Sequence, residues 1–143
     1  MTEILSLESA SVDETNVIGE KIAQAISFPS CIYLHGDMGQ GKTTLCKSII
    51  AALGSRQTVT SPTYNLVQEY EVNSGIVYHM DLYRLDDPEE LEYLALSDLW
   101  TSNSVFLVEW PQKGHGFLQQ ATHEIVIEPT ASNLSRQISF REL

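Results

Sequence analysis

Basic residues are scarce in this chain. Eight Lys and Arg stand against nineteen Asp and Glu over 143 residues, a formal net charge of −11. Tight binding of a phosphate backbone relies on clustered Lys and Arg. The basic residues here are scattered, at positions 21, 42, 47, 56, 84, 113, 136 and 141, which argues against autonomous binding of tRNA or DNA. So acidic a surface suits solubility, or docking to a basic partner. Cysteine is also scarce. Cys31 and Cys46 have no metal-type spacing and make no disulfide framework, so a reducing, cytoplasmic setting is expected. No apolar run reaches the roughly 18 residues of a membrane span. The opening "MTEILSLESASVDE" lacks the basic start and long apolar core of a secretory signal. There is no repeat, low-complexity tract or linker, so one domain over residues 1–143 is the simplest organisation.

What is present alternates between strand-like and helix-like patterns. "EILSLES" alternates apolar and polar residues and reads as an edge strand. Ser11 and Glu14 form a capping box, and Val17, Ile18, Ile22, Ala25 and Ile26 then fall on one helical face. "CIYLH" reads as a buried strand and "KTTLCKSIIAAL" as a helix closed by Gly54. "TYNLVQEYEV" and "IVYHMDLY" flank a hairpin turn at Asn73-Ser74-Gly75. "DDPEELEYL" begins a helix, with Asp87 at the N-cap and Pro88 at the first position. "SVFLVEW" is another buried strand, and "HEIVIEP" and "SRQISF" read as antiparallel final strands. The order predicts an α/β fold: three layers, P-loop NTPase-like, with a mixed, largely parallel central sheet and antiparallel C-terminal strands.

Between the second strand and its helix lies Gly36-x-x-x-x-Gly41-Lys42-Thr43, the P-loop pattern in full. Glycines let successive backbone N–H groups converge on phosphate oxygens with no Cβ in the way. The helix that follows aims its positive end at the same oxygens. Lys42 would neutralise the terminal phosphates and the Thr43 hydroxyl would ligate Mg2+. Asp37, Met38, Gly39, Gln40, Gly41 and Thr44 complete the candidate nucleotide contacts. This attraction is local and built mostly from amide dipoles, so an acidic total charge does not oppose it. Magnesium also needs a carboxylate at a neighbouring strand end. "VYHMD" offers Asp81 and "VFLVE" offers Glu109, and which dominates is open. No N-K-x-D guanine-reading motif occurs, which favours ATP.

"HGDMGQGKTTL", "SPTYNLVQEY", "YHMDLYRLDDPEEL" and "FLVEWPQKG" follow in that order. Together they resemble the TsaE (YjeE) family of bacterial P-loop ATPases over nearly the whole chain. The P-loop is common to very many proteins, whereas the S-P-T-Y, D-L-Y-R and E-W combination is far more specific. The resemblance implies a part in making threonylcarbamoyladenosine at position 37 of ANN-decoding tRNAs. It implies TsaD-like and TsaB-like partner proteins, and contact with tRNA only through them. ATP binding and hydrolysis would support repeated turnover of that complex. Lys42 and Thr43 match the family's phosphate and magnesium positions, Asp81 its Walker-B-type aspartate, and Glu109 a glutamate acting on magnesium or the attacking water. Thr63 falls in a switch-like segment, and Thr15 matches a threonine near the nucleotide. One departure is Gln112, where the family often carries an acid; with Asp37 and Met38, it bears on hydrolysis rate more than on binding.

Other residues read more plainly. His35 and His79 fall in expected buried strands and read as structural. Arg84 suits either a functional contact or an ion pair with Asp86 or Asp87. Arg136 suits a place beside the adenine or, the favoured reading, a last strand facing water. Trp110 suits a partner anchor or a core cap equally. The expected activity is an ATPase that is weak alone and activated by its partners. Two alternatives to it stay open: a small-molecule P-loop kinase, for which four unclustered arginines offer little lid material, and a non-hydrolysing nucleotide switch.

Overall fold

The computed structural model describes residues 1–60 and 66–143. Its elements are β1 (Thr2–Ser9), α1 (Val12–Ala25), β2 (Ser30–His35), α2 (Lys42–Ala52), β3 (Val67–Val72), β4 (Gly75–Asp81), α3 (Leu96–Leu99), β5 (Ser104–Glu109), β6 (His123–Pro129) and β7 (Arg136–Glu142). Two 3-10 helices, Pro88–Leu94 and Pro111–Gly114, flank α3 and β5. The strands form one seven-stranded sheet in the order β1-β7-β6-β2-β5-β4-β3. The four central strands are parallel, through β6–β2, β2–β5 and β5–β4. Antiparallel pairs complete both sides: β3 on β4, and β6–β7–β1. The mixed sheet and antiparallel C-terminal strands expected from the pattern are both present.

Alternation along each strand decides which layer a side chain joins. On β5, Val105 and Leu107 face α1 and α2, while Phe106 and Val108 face the opposite layer. On β2, Ile32 and Leu34 face the helices and Cys31 the other side. The helix layer closes with Ile22, Leu45, Ile49 and Ile50, all fully buried, each contributing about 1.5–3 kcal/mol by removal from water. The opposite layer is thin, built from Leu82, Leu85, Leu91 and Leu96 around the 3-10 helix and α3.

Helix α1 starts as the capping box requires, the Ser11 hydroxyl accepting from the Glu14 amide at 3.1 Å. Its inward face is Ile18, Gly19, Ile22 and Ala23, whereas Val17 and Ala25 point to solvent. Gly19 explains the rotation. A Cβ there would sit 2.3 Å from Ser48 Oγ and 2.6 Å from Ser48 Cβ, so α1 and α2 approach closely at this point. The hairpin forms with Val72 opposite Gly75, leaving Asn73 and Ser74 as its turn. "DDPEELEYL" forms as a 3-10 helix rather than an α-helix, with Asp87 capping the Glu89 amide at 3.0 Å. Ala95 in the left-handed region (φ 49°) separates it from α3.

Candidate functional site

Strand β2 delivers the glycine loop to the carboxyl end of the parallel strands, where open α/β sheets bind their ligands. The loop grazes β6 at its start: a Cβ on Gly36 would lie 3.0 Å from the Ile127 carbonyl oxygen. Gly39 and Gly41 take φ of 81° and 98°, a left-handed conformation that side chains oppose. A Cβ on either would meet nothing within 4 Å among the described residues, so there the backbone twist, and not crowding, asks for glycine. Gly41 begins α2 with no side-chain cap. The first amides of α2 therefore have no capping side chain among the described residues, and they carry the helix's positive end.

Lys42 is buried. Its Nζ donates to the Gly36 carbonyl and lies 3.6 Å from the centre of the Trp110 ring, a cation–π contact. Burial lowers its pKa, against the opposing pull of Glu109, Asp81 and Asp37. Trp110 reaches this position through a left-handed backbone, φ 56°. Such strain costs of order 1–3 kcal/mol and gathers at functional sites. Tyr83 backs the indole with ring centroids 5.1 Å apart.

The register of the sheet assembles the acidic corner. Asp81 lies opposite Glu109, and Glu109 opposite Leu34 at the end of β2. Odd-numbered positions of β4 and β5 face α2, so His79, Asp81 and Glu109 share that side with Val77 and Leu107. The Thr43 hydroxyl lies 3.0 and 3.2 Å from the two Glu109 oxygens and donates to the carboxylate. His79 Nε2 lies 2.6 Å from Glu109 Oε2, with both side chains buried. Asp81 accepts the Tyr83 amide at 3.1 Å. Burial raises the Asp81 pKa and nearby Glu109 adds to it, opposed by the Tyr83 hydrogen bond, His79 and Lys42. Cys46 completes the buried floor within 4.8 Å of His79 and Glu109; burial pushes its thiol well up, so it packs as a protonated filler. The Thr43 hydroxyl and the two strand-end carboxylates are oxygen donors, the kind that magnesium prefers, and they fit that ion better than a soft metal.

A cleft of about 320 Å³ opens beside the loop. Thr15, Gly39, Gln40, Gly41 and Thr44 line one part of it, and Val12, Leu134 and Arg136 another. Thr15 bonds Ser9 through its hydroxyl at 2.7 Å. Asp37 and Met38 stand exposed at the loop's crest. Thr63 lies outside the described residues. Arg136, expected to face water, is half-buried in the cleft wall. His35, expected to be buried, is 41% exposed and pairs with Glu124 at 3.6 Å. Gln112 sits exposed on the 3-10 helix after Trp110. Sequence reasoning missed the bond from His79 to Glu109. The signal was its position two residues before Asp81, on the same face of β4.

The sequence pattern of the family described as "Threonylcarbamoyl adenosine biosynthesis protein TsaE" matches residues 9–138. The tRNA threonylcarbamoyladenosine biosynthesis protein TsaE of Haemophilus influenzae is 48% identical over 90 residues, which are 63% of this chain and 57% of that protein. The TsaE of Bacillus subtilis is 36% identical over 138 residues, 95% of this chain and 84% of that one. The crystal structure of Bacillus subtilis YdiB superposes with a TM-score of 0.76 at 28% identity, covering 99% of this chain and 87% of the other. The match thus runs across the glycine loop, the acidic corner and nearly every strand, and the chain belongs to the TsaE family of threonylcarbamoyl adenosine biosynthesis proteins.

Proposed function

We propose that the chain binds ATP with magnesium and hydrolyses it, as the nucleotide-driven subunit of a machinery that forms threonylcarbamoyladenosine on ANN-decoding tRNAs. One observation carries this reading. Lys42, Thr43, Asp81 and Glu109 come from three separate elements yet converge beneath an uncapped helix start. In this reading the loop amides from Gly39 to Thr44 take the phosphate oxygens. Lys42 leaves the Gly36 carbonyl and the Trp110 face, where its Nζ now rests, and places its charge on the terminal phosphates. Thr43, Asp81 and Glu109 hold the magnesium, whose charge would offset the negative charge on the phosphates during transfer. Glu109, buried beside Thr43 and His79, would orient the attacking water or help to hold the magnesium. Thr15 and Arg136 flank the cleft that the nucleoside enters, with Val12 and Leu134 as apolar walls.

The partners in this reading are TsaD-like and TsaB-like proteins, and tRNA is reached only through them. The scattering of eight basic residues over the chain supports the indirect contact. Hydrolysis by the isolated chain is slow in this reading, because the S-P-T-Y segment and Glu109 need the partner to settle into place. The test is tRNA modification in a reconstituted mixture with the chain omitted, added, or added as Lys42→Ala. Repeated turnover is expected only with the unaltered chain, and equal product in all three would overturn the role. ATP hydrolysis should rise when the TsaB–TsaD pair is added; an unchanged rate would remove the activation claim.

A further inference from the structure

We propose that His79 is the positioning residue that holds Glu109 against the metal corner, an inference that rests on the ATP–magnesium reading above. Glu109 is 2% exposed, so its charge depends on hydrogen-bond donors supplied by the protein. Among the described residues it has two. Thr43 donates across both carboxylate oxygens, at 3.0 and 3.2 Å. His79 approaches Oε2 alone, at 2.6 Å.

These two contacts do different work. Thr43 is itself a metal-side group, and its hydroxyl carries a single proton. A donor shared between both oxygens fixes the carboxylate's place but leaves it free to rock. The His79 bond to one oxygen removes that freedom and turns the other oxygen toward Thr43. The imidazole is rigidly held: it lies on β4, opposite Leu107 of β5, with no exposure of its side chain.

The other ring nitrogen sharpens the point. His79 Nδ1 is buried and has no hydrogen-bond partner among the described residues. A residue placed there only for packing would be apolar and would carry no orphaned nitrogen. The fold tolerates the orphan while gaining one directed bond to Glu109. Outer contacts of this kind, aligning a metal-side ligand, typically change metal affinity or activity 10–100-fold when lost.

The experiment compares His79→Gln, whose amide nitrogen reaches about as far as Nε2, with His79→Asn, one methylene shorter, and with His79→Leu. ATP affinity is measured by calorimetry with magnesium and in EDTA, together with the magnesium concentration giving half-maximal turnover. Leu and Asn should weaken the magnesium-dependent part of ATP affinity by roughly 10–100-fold, leave affinity in EDTA unchanged, and raise the magnesium midpoint by a similar factor. Gln should restore most of both. A folded Asn or Leu variant with unaltered magnesium dependence overturns the proposal, as does a Gln variant no better than Asn. Loss of ATP affinity equally in EDTA and in magnesium would mark His79 as structural only. If the unaltered chain shows no magnesium-dependent ATP binding, the parent reading fails instead, and that outcome is separate from all of these.

Discussion

Replacing Glu109 by Gln separates a functional carboxylate from a structural one. The amide keeps the length of the side chain. Its oxygen can accept from His79 Nε2 and its nitrogen can donate to the Thr43 hydroxyl, so neither partner is stranded. What is lost is charge. Hydrogen bonds to a charged group contribute about 1.5–3 kcal/mol and neutral ones about 0.5–1.5 kcal/mol, so two bonds lose roughly 2–3 kcal/mol. Against this, a group 2% exposed no longer bears the desolvation of its charge, several kcal/mol. The two terms nearly cancel. The ligand-free thermal midpoint should therefore move by no more than about 4 °C in either direction, at roughly 2–4 °C per kcal/mol for a chain near this size. Saturating ATP should behave otherwise. At about 100 times Kd it stabilises the unaltered protein by about 2.7 kcal/mol, a rise of several degrees. In Glu109→Gln the part of that rise which requires magnesium should vanish. The assay is differential scanning fluorimetry with ATP in magnesium and in EDTA. A ligand-free collapse of more than about 10 °C would make Glu109 structural. An unchanged magnesium-dependent rise would place the metal elsewhere. Either result refutes the reasoning.

Other substitutions have equally definite outcomes. Gly19→Ala places a Cβ 2.3 Å from Ser48 Oγ and should lower unfolding free energy by about 1–3 kcal/mol, measured by urea denaturation; an unchanged midpoint would mean that α1 and α2 do not meet there. His123 has its pKa lowered from the ordinary 6.5 by burial, partly opposed by Glu142. The unfolded chain therefore binds a proton that the folded one refuses, and stability is full above pH 6.5 and declines as acid is added toward the folded-state value. Thermal midpoints from pH 7 to 5 should fall more for the unaltered protein than for His123→Gln, and parallel curves would contradict this. Arg136→Ala should weaken ATP binding while leaving the magnesium midpoint in place; an unaltered Kd would remove Arg136 from the nucleoside cleft.

The glycine loop was legible because its chemistry is local. The spacing of its glycines sets the turn and the helix start together, and Lys42 and Thr43 open α2 as that spacing implies. Asp81 and Glu109 were legible as carboxylates ending apolar strands. That they lie opposite each other depends on β4 pairing with β5 across 22 intervening residues, which no local pattern encodes. His79 shows the same limit. Alternation puts it on the face of Asp81, but its partner belongs to another strand. On α1, Val17 was read as inward because it is apolar, yet the tight approach uses Gly19, which hydrophobicity does not reveal. The 3-10 form of Pro88–Leu94, ended by the left-handed Ala95, is invisible in a capping signature that serves either kind of helix.

Titration of ATP in magnesium into the unaltered protein and into Lys42→Ala, followed by calorimetry, bears most directly on the claim that the loop from Gly36 to Thr44 grips a nucleoside triphosphate. One site per chain is expected for the unaltered protein, with affinity lowered at least 10-fold by removing the lysine that now bonds the Gly36 carbonyl. No heat from the unaltered protein, or the same isotherm from both, would contradict it.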